Sequence, residues 1–137
     1  MNAFTWPIRV YYEDTDSGGV VYYANYLKFM ERARTEWLRS LGFEQDSLAR
    51  DANLLFTVHS LTLTFSRPAR FNDMLEILSR IDSIRGASLI FEQKILRAGK
   101  PAEILCSGRI RVACVYADSF KPRLIPRMIT MEILSGN

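Results

Sequence analysis

The chain has 137 residues, of which 48% are hydrophobic and 24% are charged, and its formal net charge is +3. This composition fits one globular domain over residues 1–137 and excludes a largely disordered chain. The sequence has no run of 18 apolar residues and no signal-peptide pattern, so we expect a cytoplasmic protein without a membrane span. Its basic residues are scattered, which argues against a nucleic-acid partner and favours small anionic ligands.

The first predicted strand covers residues 7–13 (PIRVYYE). Ile8, Val10 and Tyr12 alternate there with polar or amphipathic residues, which is typical of a half-buried strand. The glycine pair at 18–19 follows and predicts a turn, because glycine adopts backbone conformations that other residues avoid.

A long amphipathic helix is predicted to begin at Asn25, a residue type that favours the N-cap position. It would run for about 16 residues and end before Gly42. Apolar side chains recur at helical spacing along one side of the segment, at Tyr26, Phe29, Met30, Ala33, Trp37 and Leu41. This helix therefore has one broad face to bury.

Four more strands are predicted by alternating apolar residues between turn signals. They cover residues 54–66, 74–84, 88–97 and 102–116. In the first of them the apolar parity shifts, which predicts a β-bulge near His59 or Ser60. The whole pattern predicts an α+β domain in which a five-stranded, mostly antiparallel sheet wraps around one long central helix.

The cysteines and the single histidine suggest neither a disulfide nor a metal site. Cys106 and Cys114 lie eight residues apart in one predicted strand, about 27 Å along it, which is too far for a disulfide. We expect two core thiols in a reduced compartment. His59 is the only histidine, so a Cys/His zinc site is not expected.

The loop DTDSGGVVYYANY, residues 14–26, is the most unusual segment of the sequence. If strand alternation continues, Asp14 and Asp16 point to the interior; alternatively, both are ordinary turn or cap residues. The apolar run at 20–23 needs a pocket or a partner subunit. The N-terminus of the following helix has unpaired N–H groups that could hold a carbonyl oxygen while a carboxylate attacks its carbon.

The segment YYEDTDSGGVVYYANYLKFMERARTEWLRSLGF resembles the signature of the 4-hydroxybenzoyl-CoA thioesterase family of hotdog-fold proteins. It is most similar to the branch of Tol-Pal-associated acyl-CoA thioesterases. The resemblance extends through RPARFNDMLEI, IRGASLIFEQ and FKPRLIP, and so covers nearly the whole chain. It implies a hotdog fold and hydrolysis of acyl-CoA. No separate cofactor is implied, since coenzyme A is part of the substrate.

The resemblance also implies roles for residues of the loop. Asp16 would be the catalytic carboxylate, acting as a nucleophile or as a general base on water, with Asp14 in a secondary role. Gly19 and Val20 would belong to the catalytic loop. The backbone N–H of Tyr23 would polarise the thioester carbonyl. That role needs the main chain and not the phenol. The Tol-Pal branch usually has His at the position of Tyr23, whereas the 4-hydroxybenzoyl-CoA branch has Tyr.

Coenzyme A carries several phosphate charges, which basic residues would hold. By resemblance, the nucleotide-side candidates are Arg85, Ser88, Lys121 and Arg123. Arg67 and Arg70 are weaker candidates, and the alternative for every one of these residues is a solvated surface charge. The acyl group is left open, because four aromatic residues could line its pocket or simply pack the core: Tyr22, Tyr23, Tyr26 and Phe56.

Proteins of this kind pair their sheets edge to edge and build active sites between subunits, so the resemblance implies a homotetramer, a dimer of dimers. Two other functions stay open. One is a binding or scaffold protein of the Tol-Pal or lipid-synthesis machinery, with an acyl-carrier protein or an envelope-associated partner and little turnover. The other is a hotdog hydratase or dehydratase, for which His59 would have to be the acid or base.

Overall fold

The computed structural model describes residues 3–135. Its helices and strands are β1 (Phe4–Arg9), α1 (Asn25–Ser40), α2 (Gln45–Ala52), β2 (Leu54–Phe65), β3 (Met74–Arg85), β4 (Ser88–Arg97), β5 (Lys100–Tyr116) and α3 (Arg127–Ser135). The strands form one sheet in the order β1-β3-β4-β5-β2, and each neighbouring pair is antiparallel. The predicted α+β architecture of a five-stranded sheet around a long helix is confirmed.

Helix α1 forms the centre of the core because its apolar residues recur every three or four positions. Phe29, Met30 and Ala33 are completely buried against the sheet. One turn later, the ring of Trp37 packs edge-on against Phe91 of β4, with 5.2 Å between ring centroids. The concave face of the sheet therefore covers the apolar stripe of α1 over most of its length.

Strands β2 to β5 begin and end within two residues of their predicted positions. The predicted β-bulge is also confirmed, because the β2–β5 register shifts between Val58 and Ser60. The extra residue is His59, whose side chain is exposed at the edge of the sheet. A parity shift in the sequence was enough to locate this irregularity.

The prediction of a first strand over residues 7–13 is wrong at both ends. Strand β1 ends at Arg9, which pairs with Met74, the first residue of β3; beyond it, the main chain of Val10 bonds to the loop before β3, at Asn72 and Asp73. The chain then turns through a 3₁₀ helix at Tyr12–Asp14. Tyr12 is consequently exposed and stacks on Phe71, with 3.8 Å between ring centroids.

Two short helices, α2 and α3, were not predicted, and the expectation of a single helix is wrong in that respect. Helix α2 buries only Leu48, too little for a visible periodicity, and it ends where Asn53 adopts a left-handed conformation with φ of 52°. Helix α3 follows Pro126 and buries Ile129 and Ile133, one turn apart. Across residues 3–135, no helix combines the length and apolar character needed to cross a membrane.

Candidate active site

The segment between the 3₁₀ helix and α1 folds into a tight hairpin. The N–H of Asp16 donates to the carbonyl of Val20 (3.0 Å), and the N–H of Gly19 donates to the carbonyl of Asp16 (3.0 Å). Gly19 has a φ of 79°, a backbone conformation that residues other than glycine rarely adopt. Val20 also forms a β-bridge with Arg70, which attaches the hairpin to the loop before β3. The predicted loop residues therefore share one small, hydrogen-bonded unit.

Asp14 anchors this hairpin from inside the protein. Its buried carboxylate accepts hydrogen bonds from the N–H of Tyr11 (2.8 Å) and from the side-chain amide of Asn25 (3.0 Å). Its carbonyl accepts the N–H of Tyr22 (2.9 Å). The prediction that Asn25 is the N-cap is wrong, because Ala24 is already helical and the Asn25 amide reaches back to Asp14. The pair joins the start of the hairpin to the start of α1.

Asp16 is exposed, so the prediction that it points to the interior is wrong. The 3₁₀ turn interrupts the strand alternation on which that prediction depended. One carboxylate oxygen, Oδ1, accepts the N–H of Gly18 at 2.8 Å. Among residues 3–135 the other oxygen, Oδ2, has no hydrogen-bond partner. The carboxylate is thus oriented by its own turn and keeps one oxygen available for chemistry.

The entry to α1 presents a free backbone donor seven residues after Asp16. The first turn begins with N–H groups of Asn25 and Tyr26 donating to the carbonyls of Tyr22 and Tyr23. The N–H of Tyr23 itself has no hydrogen-bond partner within the described part of the chain. An unpaired N–H at the positive end of a helix dipole can stabilise a developing oxyanion.

A groove of about 250 Å³ runs beside the helix entry. It is lined by Val21, Tyr23, Tyr26, Phe65, Ser66, Arg67 and Pro68. The ring of Phe65 meets Tyr23 edge-on at 6.1 Å and Tyr26 at 5.6 Å. The hydroxyl of Tyr26 accepts the N–H of Ala69 (3.0 Å), and burial raises the pKa of this tyrosine. The walls are therefore largely aromatic, and Tyr26 is fixed by burial and by its hydrogen bond to Ala69.

Two of the four aromatic candidates for an acyl pocket, Tyr23 and Tyr26, line this groove. The other two do not: Tyr22 is exposed on the hairpin side, and Phe56 faces a separate cavity. The sequence reasoning missed Phe65, the last residue of β2. Its signal was an apolar side chain at a strand end that directly precedes the polar turn 66–68.

The four nucleotide-side candidates gather at one end of the sheet. Arg85 and Ser88 flank the β3–β4 turn, where they form a cross-strand pair. The segment that carries Lys121 and Arg123 is attached to the same end, because the N–H of Ile125 donates to the carbonyl of Gly86 (3.1 Å). The structure therefore brings all four residues to the same end of the sheet, as a common nucleotide site requires.

The guanidinium of Arg123, however, is engaged by the protein itself. It donates to the carbonyls of Ala52 (2.9 Å) and Asn53 (3.3 Å) at the end of α2, and it lies 4.9 Å from the ring centre of Tyr116. For Lys121, in contrast, the described residues show no side-chain hydrogen bond or ion pair. Arg123 therefore has a structural role through these contacts, and Lys121 has no such role.

Within one chain, this basic end lies far from the hairpin. Phe65, beside the groove, pairs with Cys106, whereas the N–H of Cys114 donates to Ala87 in the β3–β4 turn. The two points are eight residues apart on β5, about 27 Å along the strand. Arg67 and Arg70, the weaker candidates, are the basic residues that adjoin the hairpin and groove in the same chain.

The remaining reactive side chains lie outside this site. His59 is exposed on the β2 bulge, with its Nδ1 3.3 Å from the hydroxyl of Ser60, and it does not line the groove. Cys106 and Cys114 are buried free thiols, and burial raises the pKa of each to about 11. Within residues 3–135, no three His, Cys, Asp or Glu side chains are grouped as metal ligands would be.

Comparison with known proteins gives close matches over nearly the whole chain. The family described as the thioesterase superfamily matches residues 18–103. The acyl-CoA thioester hydrolase YbgC of Escherichia coli O157:H7 is 47% identical over 94% of this chain and 94% of its own length. The acyl-CoA thioesterase YbgC of Haemophilus influenzae is 41% identical over 93% of this chain and 92% of its own.

Solved structures agree with the fold. A probable thioesterase from Bartonella henselae superposes with a TM-score of 0.85 at 38% identity, covering 91% of this chain and all of that one. A 4-hydroxybenzoyl CoA thioesterase mutant, complexed with 4-hydroxybenzoyl CoA, superposes with the same TM-score over 96% of this chain and 98% of its own. Its identity of 18% makes it a likeness of fold alone.

Proposed function

This chain belongs to the thioesterase superfamily, as its sequence resemblance predicted, and from that premise we propose that it hydrolyses acyl-CoA thioesters with Asp16 as its catalytic carboxylate. The proposal is carried by one observation: two polar groups near the entry of α1 are both free to contact a substrate. The Asp16 carboxylate keeps one oxygen free, and the N–H of Tyr23 lacks a partner among residues 3–135. A free carboxylate oxygen could attack a carbonyl carbon or activate water, while a free N–H at a helix entry could stabilise the carbonyl oxygen.

The chemistry needs little more than these groups, because a thioester has a good thiolate leaving group. As a nucleophile, Asp16 would form a mixed anhydride and expel the coenzyme A thiolate, and water would then hydrolyse the anhydride. As a general base, it would take a proton from water as that water attacks. Both routes give a free acid and coenzyme A. In both, the N–H of Gly18 orients the carboxylate, and backbone hydrogen bonds with Gly19 and Val20 hold the main chain of Asp16.

The decisive experiment replaces Asp16 with Asn and measures thiol release from a panel of acyl-CoA substrates. We expect kcat to fall by about 100-fold or more, because the amide can neither attack nor take a proton at neutral pH. Asp51→Asn, at an exposed carboxylate on α2, is the matched control and should keep full activity. Turnover that is unchanged in a folded Asp16→Asn protein, judged by circular dichroism, would contradict the proposal.

We infer further that the substrate site is shared between subunits. Within one chain, Arg85, Ser88 and Lys121 lie at the far end of the sheet from the groove beside Tyr23, about 27 Å along β5. These three residues are proposed to hold the nucleotide at the site of a neighbouring subunit. The guanidinium of Arg123 is occupied by the end of α2, so its role is to support that region.

The edge strand β2 supports the predicted assembly. It is 12 residues long, and its outer half exposes Val58, Leu61 and Phe65. The other edge, β1, has only six residues and contains Pro7, which suits an edge that stays unpaired. We propose that β2 pairs with a second copy and that two such dimers form the homotetramer.

Three further expectations stay predictions: a cytoplasmic location, an acyl-carrier-protein or envelope-associated partner, and the scaffold role.

A further inference from the structure

A second cavity, of about 340 Å³, lies between α1 and the inner face of the sheet. Its lining consists of Glu31, Arg34, Thr35, Trp37, Leu38, Gln45, Phe56, Val58, Leu89, Phe91 and Val112. Most of these side chains are apolar, and the polar ones come mainly from one side of α1. Its volume falls in the range of about 300–1,000 Å³ that small-molecule sites occupy.

This cavity is distinct from the candidate active-site groove. The two have no lining residue in common. Arg34 lies nine residues beyond Asn25, which places it about 14 Å further along the axis of α1. No residue of the hairpin that carries Asp16 takes part in the cavity.

Arg34 is held at the cavity wall by a buried polar network. Its guanidinium donates to the side-chain oxygen of Gln93 (2.9 Å). The amide nitrogen of Gln93 in turn donates to the carbonyl of Met30 (3.1 Å) and the hydroxyl of Ser79 (2.8 Å). Gln93 and Ser79 are each only 1% exposed. The position of the guanidinium is therefore fixed from the core side.

The guanidinium of Arg34 has no direct carboxylate partner among the described residues. Across residues 3–135, no Asp or Glu oxygen forms an ion pair with it within 4 Å. Glu31 also lines the cavity; its carboxylate accepts the hydroxyl of Thr35, and its charge partly opposes the effect of burial on the pKa of Arg34 without forming an ion pair. Burial lowers the pKa of Arg34 to about 10, so it stays protonated at neutral pH. A partly desolvated cation of this kind favours an anionic partner, above all a planar carboxylate.

We propose that this cavity binds a fatty acid, with the carboxylate on Arg34 and the hydrocarbon chain against Trp37, Phe56 and Phe91. The apolar wall suits an alkyl chain, and the fixed guanidinium suits a carboxylate rather than a neutral head group. The proposal does not rest on thioesterase activity, because the cavity contains no residue of the catalytic hairpin. Its failure and the failure of the Asp16 mechanism are therefore separate results.

The test measures binding of decanoate by tryptophan fluorescence. Trp6 is replaced by Phe so that Trp37, in the cavity wall, is the reporter. We expect decanoate to change the Trp37 emission saturably, and Arg34→Met to weaken binding at least tenfold. Arg32→Met removes an exposed charge from the outer face of the same helix and should leave the affinity unchanged.

Two further measurements test the proposal even if Arg34→Met fails to fold. Decanol, which has the same chain without the carboxylate, should bind at least tenfold more weakly to the parent protein. Leu89→Phe, which fills the cavity from β4, should weaken decanoate binding, whereas Phe65→Ala in the active-site groove should not. Equal affinity for decanol and decanoate, no saturable signal, or loss of binding in Phe65→Ala alone would overturn the proposal.

Discussion

Two carboxylates two positions apart, Asp14 and Asp16, have opposite environments. Asp14 is buried and accepts hydrogen bonds from Tyr11 and Asn25, so it holds the chain in place. Asp16 is exposed, and within the described residues its carboxylate accepts only the N–H of Gly18. A carboxylate that is fully engaged cannot attack a substrate, whereas one with a free oxygen can. Asp14 therefore anchors the loop, whereas Asp16 is available for chemistry.

The hairpin geometry makes a prediction for Gly19 at the residue scale. Gly19 and Gly99 have nearly the same backbone, with φ of 79° and 77°, and in each the space around an added Cβ is open. Replacing either with Ala should lower the free energy of unfolding by about 1 kcal/mol, because only the backbone strain changes. Only Gly19→Ala should also lower kcat, since it shifts Asp16. Urea denaturation and thiol-release assays check this, and equal kcat values would contradict it.

The buried thiols predict a loss of stability at alkaline pH. Burial raises the pKa of Cys106 and Cys114 to about 11, whereas an exposed thiol loses its proton near about pH 8.5. Between these values the unfolded chain binds fewer protons than the folded one, so stability falls as pH rises. Each thiol should contribute a loss on the order of 3 kcal/mol across this window. Urea denaturation of Cys106→Ala should show a shallower decline than the parent; parallel declines would contradict this.

The sequence predicted which residues belong to the site better than it predicted their orientation. Asp16, Gly19, Val20 and Tyr23 do share one loop beside the helix entry, because they are close neighbours along the chain. The direction of Asp16 was missed because alternation was extended through a 3₁₀ turn that tertiary contacts create. Side-chain direction in a loop depends on such contacts, and single-sequence periodicity does not report them.

At the scale of the elements, the junction of α2 and β2 depends on a residue far away in sequence. The guanidinium of Arg123 caps the last carbonyls of α2, where Asn53 turns the chain into β2. The N–H of Ala117 also donates to Asn53 (3.1 Å), so the end of β5 is tied to the same point. This junction explains why a short helix with little buried apolar surface is stable at its position.

Arg123 and Lys121 should therefore respond differently to substitution. Arg123→Met should lower the free energy of unfolding by about 1–2 kcal/mol, because it leaves helix-end carbonyls without their donor. Lys121→Met should leave stability unchanged and raise KM for acyl-CoA severalfold, because it removes a phosphate partner. Thermal denaturation and steady-state kinetics separate the two effects. A Lys121→Met protein with the KM of the parent would contradict the nucleotide role.

Apolar periodicity was strong enough to predict the strands and α1. It was too weak to predict α2 and α3. The alternation in β5 and the wide stripe of α1 each involve many apolar residues, so their signals are clear. Helices α2 and α3 have nine residues or fewer and bury one or two apolar side chains each. Long-range hydrogen bonds such as those of Arg123 hold these segments, and a sequence pattern does not show such bonds.

For the whole molecule, the exposed edge of β2 gives a test of assembly. Leu61→Lys places a charge in the middle of this edge, and Thr5→Lys places the same charge on the opposite edge, β1. A lysine on an edge strand opposes pairing with another sheet. We expect light scattering to show smaller assemblies for Leu61→Lys and the parent mass for Thr5→Lys. An unchanged mass for Leu61→Lys would exclude β2 as the pairing edge.

The separation of about 27 Å along β5 between the groove and the basic end of the sheet also has a kinetic consequence. If each substrate is held by two chains, the catalytic unit is an interface, and its abundance follows the subunit dissociation constant. Specific activity would then fall when the protein is diluted below that constant, even though every chain stays folded. The rate at low concentration would depend on the square of the protein concentration, so that cellular abundance would itself set how active each molecule is.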